Sequence, residues 1–455
     1  MPRFDDVTQF LYGLIRPGLR PYAERAPHAL ASIRRLLSIL DNPQDGLPVV
    51  HIAGSKGKGS TALLLEKILL NCGHRVGTYT SPHLEHWRER IRVDGSAVSD
   101  IALASAVTAL KPEVEALNKS RPSDPPSFFD VITAAGLHLF HESSVDFAIV
   151  EAGLGGRYDA TNAVAPGLCC ITTVELEHAD KLGETITDIA WHKAGIIKTG
   201  VPVVCGSLPE EAAKVVREHA AAANAPLQMQ CADFQLTTEP LPELRQQLDY
   251  HSEALHLKAT LAHPAPAVAD NAALAIACAE CLQAASPATL QTQVRAALGD
   301  VVLPARMEIF RREPWILIDG GHTPAAIEAL VGVIRTIGAK EMRLAVSLSG
   351  DKHGALLGPL LDRADLVVAT SAEPLRSVSA AALAGEIRAR TSAPVLTVAD
   401  PGEALAQAAD NLPPDGLLCV TGSMYLAGIA RRTFAAPAHP CAMAAPTTPG
   451  FDKIS

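Results

Sequence analysis

Residues 51–70 read HIAGSKGKGSTALLLEKILL, and the fold class turns on how this stretch divides. The aliphatic run LPVVHIAG (47–54) ends in glycine and reads as a strand entering a loop. STALLLEKILLNCG (60–73) has apolar residues at helical spacing, with Ser60 or Thr61 as the cap and Gly73 as the stop. Between them stand Gly54, Ser55, Lys56, Gly57, Lys58, Gly59 and Ser60. The common phosphate loop is G-x-x-x-x-G-K-[ST]. Here the gap is shorter, and Gly59 separates Lys58 from Ser60. The physical ingredients are still those of an anion site. Glycines let successive backbone N–H groups face one centre, and the helix dipole adds partial positive charge. Lys58 would lie against β- and γ-phosphates as a point charge. The competing reading, a glycine-rich turn with two stray lysines, is disfavoured by the strand–turn–helix order.

Outward from this loop, strand-like runs alternate with helical ones. HALASIRRLLSIL (28–40) is helical, HRVGTYTSPH, VDFAIVEAGLGG and GLCCITTVE read as strands, ITDIAWHKAGII as a helix and TGVPVVCG as a further strand. That alternation implies an α/β fold with a mostly parallel sheet. From about 230 to 265 the pattern changes to polar–apolar alternation, FQLTTEPL and EALHLKATL, which implies antiparallel strands before a helix over 270–284. A boundary fits near LGDVVLPAR (298–306). Beyond it WILIDGGHTP, MRLAVSLSG, ADLVVATS, APVLTVAD and GLLCVTGS are five strand-like runs of a second, smaller α/β domain. The Ala- and Pro-rich tail, 436–455, reads as disordered.

Composition narrows the class. With 39 basic against 49 acidic residues the net charge is −10, so no basic footprint of a nucleic-acid binder is present. An anionic substrate must therefore be held by local basic groups and metal ions. The start, MPRFDDVTQFLYGLIRPG, lacks the pattern of a signal peptide. No apolar run approaches the roughly 20 residues that cross a bilayer. Nine irregularly spaced cysteines argue against a secreted disulfide framework, and the lone C-x-x-C of Cys278 and Cys281 sits in a helical pattern that reads as core. The expectation is a cytoplasmic protein without nucleic-acid or membrane partners.

A triphosphate also needs a hard cation, which takes oxygen ligands. Glu151, closing VDFAIVE and followed by the glycine-rich AGLGGR, stands where a neighbouring strand would present one. A solvated strand-end carboxylate is the plainer alternative.

Seven blocks now stand in order: HIAGSKGKGST, TSPHLEHWRERIRVDG, FFDVITAAGLHLF, VEAGLGGRYDATN, HKAGIIKTGVPVV, DNAALAIA and IDGGHTP. Together they resemble the folylpolyglutamate synthase/dihydrofolate synthase family of the Mur-ligase group, over residues of about 28 to 430. The resemblance implies a Mur-ligase-type P-loop ATPase domain with a mostly parallel sheet (1–300), then a smaller Rossmann-like ligase domain (301–435). It also implies that the extra glycine of the loop is normal for this group.

By that resemblance Ser55, Lys56, Gly57, Lys58, Gly59 and Ser60 wrap the ATP phosphates. Ser81, Glu151 and His178 match the positions that hold a first Mg²⁺, and Lys193 matches a lysine that becomes a carbamate and serves a second. Lys58, Lys193 and His178 are thus the candidate catalytic groups. Asn271, Arg306, Asp319 and His322 match nucleotide-contacting positions, which implies ATP between the domains. Phe128, Phe129, Asp130, Tyr158, Asp159 and Ala160 match the pterin-contacting region. Without the resemblance the readings are blander: His178 a surface loop histidine, Lys193 a solvated charge, Asn271 a helix cap, Phe128 and Phe129 ordinary core.

The implied reaction is ATP-driven addition of L-glutamate to dihydropteroate, reduced folates or both, by a monomer, through an acyl phosphate. Another Mur-type amide ligase, or a nucleotide-binding regulator without turnover, are the alternatives. Departures from the family pattern bear on the last. Ser55 and Lys56 replace a Thr-Asn pair, Glu177 an aspartate, His192 a glutamate, Ala305 a glycine and Thr323 an asparagine.

Overall fold

The computed structural model describes residues 4–15, 29–120, 125–350, 352–373 and 377–435. The tail expected to be disordered, 436–455, lies outside the described residues. The chain divides into two units, Met1–Glu308 with Gly321–Lys340, and Ile309–Gly320 with Glu341–Ser455.

In the first unit eight strands form one sheet: β1 (Val49–Ala53), β2 (Val76–Tyr79), β3 (Ile91–Val93), β4 (Ser96–Ala97), β5 (Phe147–Glu151), β6 (Pro166–Ile171), β7 (Val203–Cys205) and β8 (Leu227–Met229). Their order is β4-β3-β2-β5-β1-β6-β7-β8. The six strands from β2 to β8 in that order are parallel, and β3 and β4 add an antiparallel edge. All five residues of β1 are buried, as the continuous aliphatic run requires of a strand paired on both sides. Its neighbours are β5 and β6, with Ile52 beside Glu151 and Ala53 beside Ile171. The carboxyl ends of β1, β5 and β6 therefore share one edge, where open α/β sheets bind ligands.

Apolar side chains on one face of this sheet feed two cores. One includes Val49, Val131, Phe140 and Val150, and the other Ala53, Ile171, Ile189 and Val203. The helix Lys58–Asn71 follows the loop and packs against the helix Pro266–Cys281. The latter buries Ala272, Ala273, Ala275, Ala277 and Ala279, small side chains that permit close helix approach. Cys278 is buried in the same helix and every described cysteine is free.

Three antiparallel strands complete this unit: β9 (Phe234–Leu241), β10 (Arg245–Ser252) and β11 (His256–Leu261). The alternation in 230–265 led to β9 and β11. The central β10 is masked in the sequence by its polar outer face, although it buries Gln246, Leu248 and Tyr250 in strict alternation.

The second unit carries a six-stranded sheet of β12 (Glu308–Arg312), β13 (Trp315–Ile318), β14 (Met342–Val346), β15 (Leu366–Ala369), β16 (Val395–Thr397) and β17 (Leu417–Thr421). The order is β12-β13-β17-β14-β15-β16, parallel from β13 to β16. The five strand-like runs appear as β13 to β17, and β12 is added beside them. No described helix is long and apolar enough to cross a membrane.

Candidate active site

The loop leaves β1 at Ala53 and turns through Gly54 (φ 155°) to Gly57 (φ 83°), which is the N-cap of the helix beginning at Lys58. Gly57 has no side chain to cap with, so the expectation of Ser60 or Thr61 as cap is corrected. Both lie buried inside the first turn, because the helix starts earlier than its apolar periodicity does. Gly73 follows the C-cap Cys72 with φ 91°, the stop its type suggests. Glycine at 57 is forced twice. Its φ is left-handed, and the Oδ1 of Asn271 occupies the place a Cβ would take. Asn271 is buried within the helix Pro266–Cys281 and so does not cap it; it accepts from Thr61 Oγ1 at 3.4 Å.

The loop is fastened to the segment after β6. Ser55 N donates to Thr173 O (2.8 Å) and Lys56 N to Thr173 Oγ1 (2.9 Å). Ser55 Oγ donates to Glu175 O, accepts from Glu175 N, and is buried. Lys58 Nζ folds back to donate to Gly54 O at 2.8 Å. With the backbone of the loop so held, the amides at the helix start and the ammonium of Lys58 form one positive region.

Glu151 faces that region from the end of β5. It is buried and accepts from Ser81 N at 2.9 Å. A Cβ on Gly59 would stand 3.3 Å from Glu151 Oε2, so the absence of a side chain at 59 lets the helix N-terminal turn and the carboxylate lie close together. Burial raises the Glu151 pKa, against which Lys58, the Ser81 amide, Arg306 and Arg90 act. A buried carboxylate with a raised pKa is a group that a bound cation would keep ionised. The donor set of Glu151 with Ser81 therefore fits a hard metal ion.

A second cluster adjoins. Lys193, in the helix Ile186–Ala194, is wholly buried, which overturns its plain reading as a solvated charge. Its Nζ donates to Glu177 Oε1 at 2.9 Å, and Lys56 Nζ stands 3.5 Å from Glu177 Oε2. Burial lowers the Lys193 pKa to about 8; Glu177 opposes the shift and Lys58 adds to it. Glu177 resists burial and is held below its ordinary value by Lys193, Lys58 and Lys56. Lys58 thus acts on both Glu151 and Lys193. His178 is exposed, at φ 48°, and burial lowers its pKa.

The six residues assigned to pterin contact divide by role. Phe128 and Phe129 begin the helix Phe128–Glu142 half-buried, with Phe128 edge-on to Trp87 (5.6 Å) and Phe129 edge-on to Tyr79 (6.0 Å). The Arg90 guanidinium lies over both Trp87 and Phe128. Asp130 accepts from Ser127 N (2.8 Å) and Oγ (2.6 Å) in a capping box, which gives its carboxylate a local structural duty. Asp159 is buried, holds the amides of Leu154 and Thr161, and caps the short turn beginning at the buried Ala160. Tyr158 is half-buried against Trp191 and His192.

Arg306 lies in the first unit, exposed, between the left-handed Ala305 (φ 54°) and Met307 (φ 45°), and its carbonyl accepts from His263 Nε2 at 2.7 Å. Left-handed backbone at an alanine costs roughly 1–2 kcal/mol. That is a physical reason for the glycine which the family resemblance leads one to expect there. His322 is exposed and groups with the same unit. Asp319 is buried at the end of β13 in the second unit, its N–H donating to Val420 O.

The Mur ligase, glutamate ligase domain profile matches residues 305–424. The dihydrofolate synthase/folylpolyglutamate synthase of Bacillus subtilis is 34 % identical over 337 residues, 73 % of this chain and 76 % of the relative. The chain belongs to the folylpolyglutamate synthase/dihydrofolate synthase family. A bifunctional folylpolyglutamate synthase/dihydropteroate synthase of Haloferax volcanii is 32 % identical over 95 % of this chain. The chain spans about half the length of that relative (50 %). Among solved structures, the Mycobacterium tuberculosis folylpolyglutamate synthase complexed with ADP superposes with a TM-score of 0.82 at 29 % identity, over 95 % of this chain and 98 % of that one.

Within this family member the sequence did not reveal several supporting groups. Thr172, Thr173 and Glu175 fasten the loop, Trp87 and Arg90 frame Phe128, and His51 bonds Thr161 at 2.9 Å beneath Asp159. Each lies inside a recognised block or just after a strand. Nothing in its own residue type marks it.

Proposed function

We propose that this chain is an ATP-dependent ligase that joins the α-amine of L-glutamate to a carboxylate of dihydropteroate, a reduced folate, or both. The observation that carries the reading is the glycine-rich turn with Lys58 at its helix start, its Gly59 set close to buried Glu151 on the adjacent strand end. ATP is the nucleotide, as membership of a family with a nucleotide-bound relative suggests. In the reaction an acceptor carboxylate attacks the γ-phosphate and ADP leaves. The glutamate amine then adds to the acyl phosphate, its proton is lost, and phosphate departs.

The protein's part is positioning and neutralisation of charge. Residues 55–60 offer backbone amides to the phosphates, with Ser55 and Lys56 held by the segment after β6. Lys58, now donating to Gly54 O, turns to the phosphate oxygens. Glu151, Ser81 and His178 would hold one Mg²⁺, and the carbamate of Lys193 a second. These ions supply neutralisation of phosphate charge when bound. The neutral amine of Lys193 adds CO₂ and releases a proton, and burial that lowers its pKa to about 8 supports that chemistry. Asn271, Arg306, Asp319 and His322 are assigned to the nucleotide. Phe128, Phe129, Tyr158 and Ala160 are assigned to the pterin, with Asp130 and Asp159 shaping its loop. The phosphate-binding loop falls in 1–300 and the ligase domain is 301–435, in a cytoplasmic monomer acting on small molecules.

Purified protein is incubated with ATP, Mg²⁺ and labelled glutamate, with dihydropteroate or tetrahydrofolate in turn. Label in either pterin product together with ADP supports the reading. ATP binding without ADP formation under both conditions overturns it.

A further inference from the structure

Away from the nucleotide loop, the hairpin of β10 and β11 carries a group of side chains that the ligase reaction does not use. Strict alternation along β10 turns Leu248 and Tyr250 inward and leaves Asp249 and His251 on the outer face. The antiparallel register sets His251 directly opposite His256, and Asp249 opposite Lys258. His251 Nε2 lies 2.9 Å and His256 Nε2 3.0 Å from the same oxygen, Asp249 Oδ1. The two imidazoles stack at 3.9 Å with an interplanar angle of 23°. One donor atom from each of the three residues lies within 4.8 Å of the others.

We propose that Asp249, His251 and His256 form a surface site for a borderline divalent ion, Zn²⁺ above all, that bridges the two strands. Zinc takes imidazole nitrogen and carboxylate oxygen at about 2.0–2.2 Å in a tetrahedron, which sets neighbouring donors about 3.3 Å apart. The spacings to Asp249 Oδ1 are close to that value, and the two rings, stacked here, must turn out of the stack so that their Nε2 lone pairs converge on the ion. Two imidazoles with one carboxylate suit Zn²⁺, Ni²⁺ or Cu²⁺, whereas Mg²⁺ demands oxygen ligands and retains its waters. The proposed magnesium chemistry of the ligase and this site therefore select different ions.

The two rings are brought together by the strand register and not by chain proximity alone, so the site exists only in the folded hairpin. Binding there must stabilise the hairpin by linkage. What lies beneath makes that stabilisation matter. On the inner face Tyr250 and Ser252 hydrogen-bond Glu280, in the helix that also carries Asn271 against the nucleotide loop. Lys258 Nζ, 3.2 Å from Asp249 Oδ2, is the built-in competitor for the carboxylate. A cation arriving at Oδ1 meets its repulsion.

The test is zinc titration of the full chain against a chromophoric chelator at neutral pH, after cysteine alkylation. The wild type should bind one more equivalent of Zn²⁺ than His251→Ala or His256→Ala, and excess Mg²⁺ should not displace it. Asp249→Asn keeps the Oδ1 acceptor for the two imidazoles but loses the charge and the Lys258 bond, and should weaken binding by about tenfold or more, while Lys258→Ala should tighten it. All three ligands are surface residues outside the ligase site, so glutamate ligation in the metal-free variants should equal that of the wild type. Equal zinc stoichiometry in the wild type and the His251→Ala/His256→Ala double variant, with the fold verified by circular dichroism, overturns the site whatever the ligase assay gives.

Discussion

Lys193 Nζ lies 2.9 Å from Glu177 Oε1 with its side chain wholly removed from solvent. Burial of an ammonium favours its neutral form, and here it prevails over the attraction of Glu177 to bring the pKa to about 8. The lysine thus holds a far larger share of free amine near physiological pH than an exposed lysine does. If it becomes a carbamate, a second anion arises beside Glu177, and only a nearby cation makes that arrangement tolerable.

The first prediction concerns this amine. Lys193→Arg retains a cation but cannot form a carbamate, since the guanidinium stays protonated. Its kcat should fall by about 100-fold or more, the scale of losing one electrostatic stabiliser. In Lys193→Ala, acetate should restore part of the rate and bicarbonate alone should not. Rescue by bicarbonate alone would refute the carbamate. The stability sign follows separately. Between the folded value near 8 and the unfolded value of 10.5 the unfolded chain binds more protons, so unmodified wild type gains stability over Lys193→Met as pH rises through that window. Denaturant titrations at the two ends of the window, on protein freed of CO₂, measure it.

Among the described residues Lys58 makes one hydrogen bond, to Gly54 O, and exerts its charge on Glu151, Glu177 and Lys193. Lys58→Ala should therefore cost little stability, about 1 kcal/mol for the lost bond. Turnover should drop by about 100- to 1,000-fold. Steady-state rates beside a melting curve separate the two effects, and near-wild-type turnover contradicts the loop assignment.

At Gly57 a side chain meets two obstacles at once, the φ of 83° and the Oδ1 of Asn271. Gly57→Ala should strain the loop by roughly 1–2 kcal/mol from the backbone alone and weaken ATP binding further by displacing Asn271. Combining it with Asn271→Ala removes the collision but keeps the strained dihedral. The double variant should then bind ATP no worse than the product of the single effects predicts. Calorimetric titration of a non-hydrolysable ATP analogue reads both, and unchanged affinity in Gly57→Ala would show that the loop does not touch nucleotide.

What was legible in the sequence was whatever a short window encodes. β1, the glycine turn and the following helix are contiguous, so composition and periodicity reveal them together. The helix start was misread because the apolar spacing begins at residue 60, whereas the backbone turn already closes at Gly57, a positive-φ position that periodicity does not report. β10 was missed because only one face of it is apolar and its outer face carries Asp249 and His251. Lys193 illustrates the larger limit. Its burial depends on elements distant in the chain, and a lysine on a helix carries no local mark of being inside. The resemblance named its position, but the reason its amine is reactive appears only in three dimensions.

The last prediction rests on His51, in the middle of β1 and wholly buried. Thr161 Oγ1 stands 2.5 Å from Asp159 Oδ1 and gives its single hydrogen to that carboxylate, so it accepts from His51 Nε2–H at 2.9 Å. The imidazole is therefore neutral with its proton on Nε2, and its Nδ1 has no partner among the described residues. Burial lowers its pKa to about 3, with Lys198 adding to the shift. A base whose folded value lies below its unfolded 6.5 takes up protons preferentially in the unfolded chain. Stability is then complete above about pH 6.5 and is lost as pH falls toward 3. From pH 7 to pH 5 the loss should be about 2 kcal/mol, at 1.36 kcal/mol per unit. His51→Gln can still donate to Thr161 but does not titrate, so its unfolding free energy should be flatter by that amount over the same range. Because the chain from His51 through Thr161 ends on Asp159, which holds the amide of Leu154, the same variant should raise the KM for the pterin acceptor more than the KM for ATP. Parallel pH dependence in the two proteins would mean that His51 is already protonated or hydrated in the fold, and the relay beneath Asp159 would have to be abandoned.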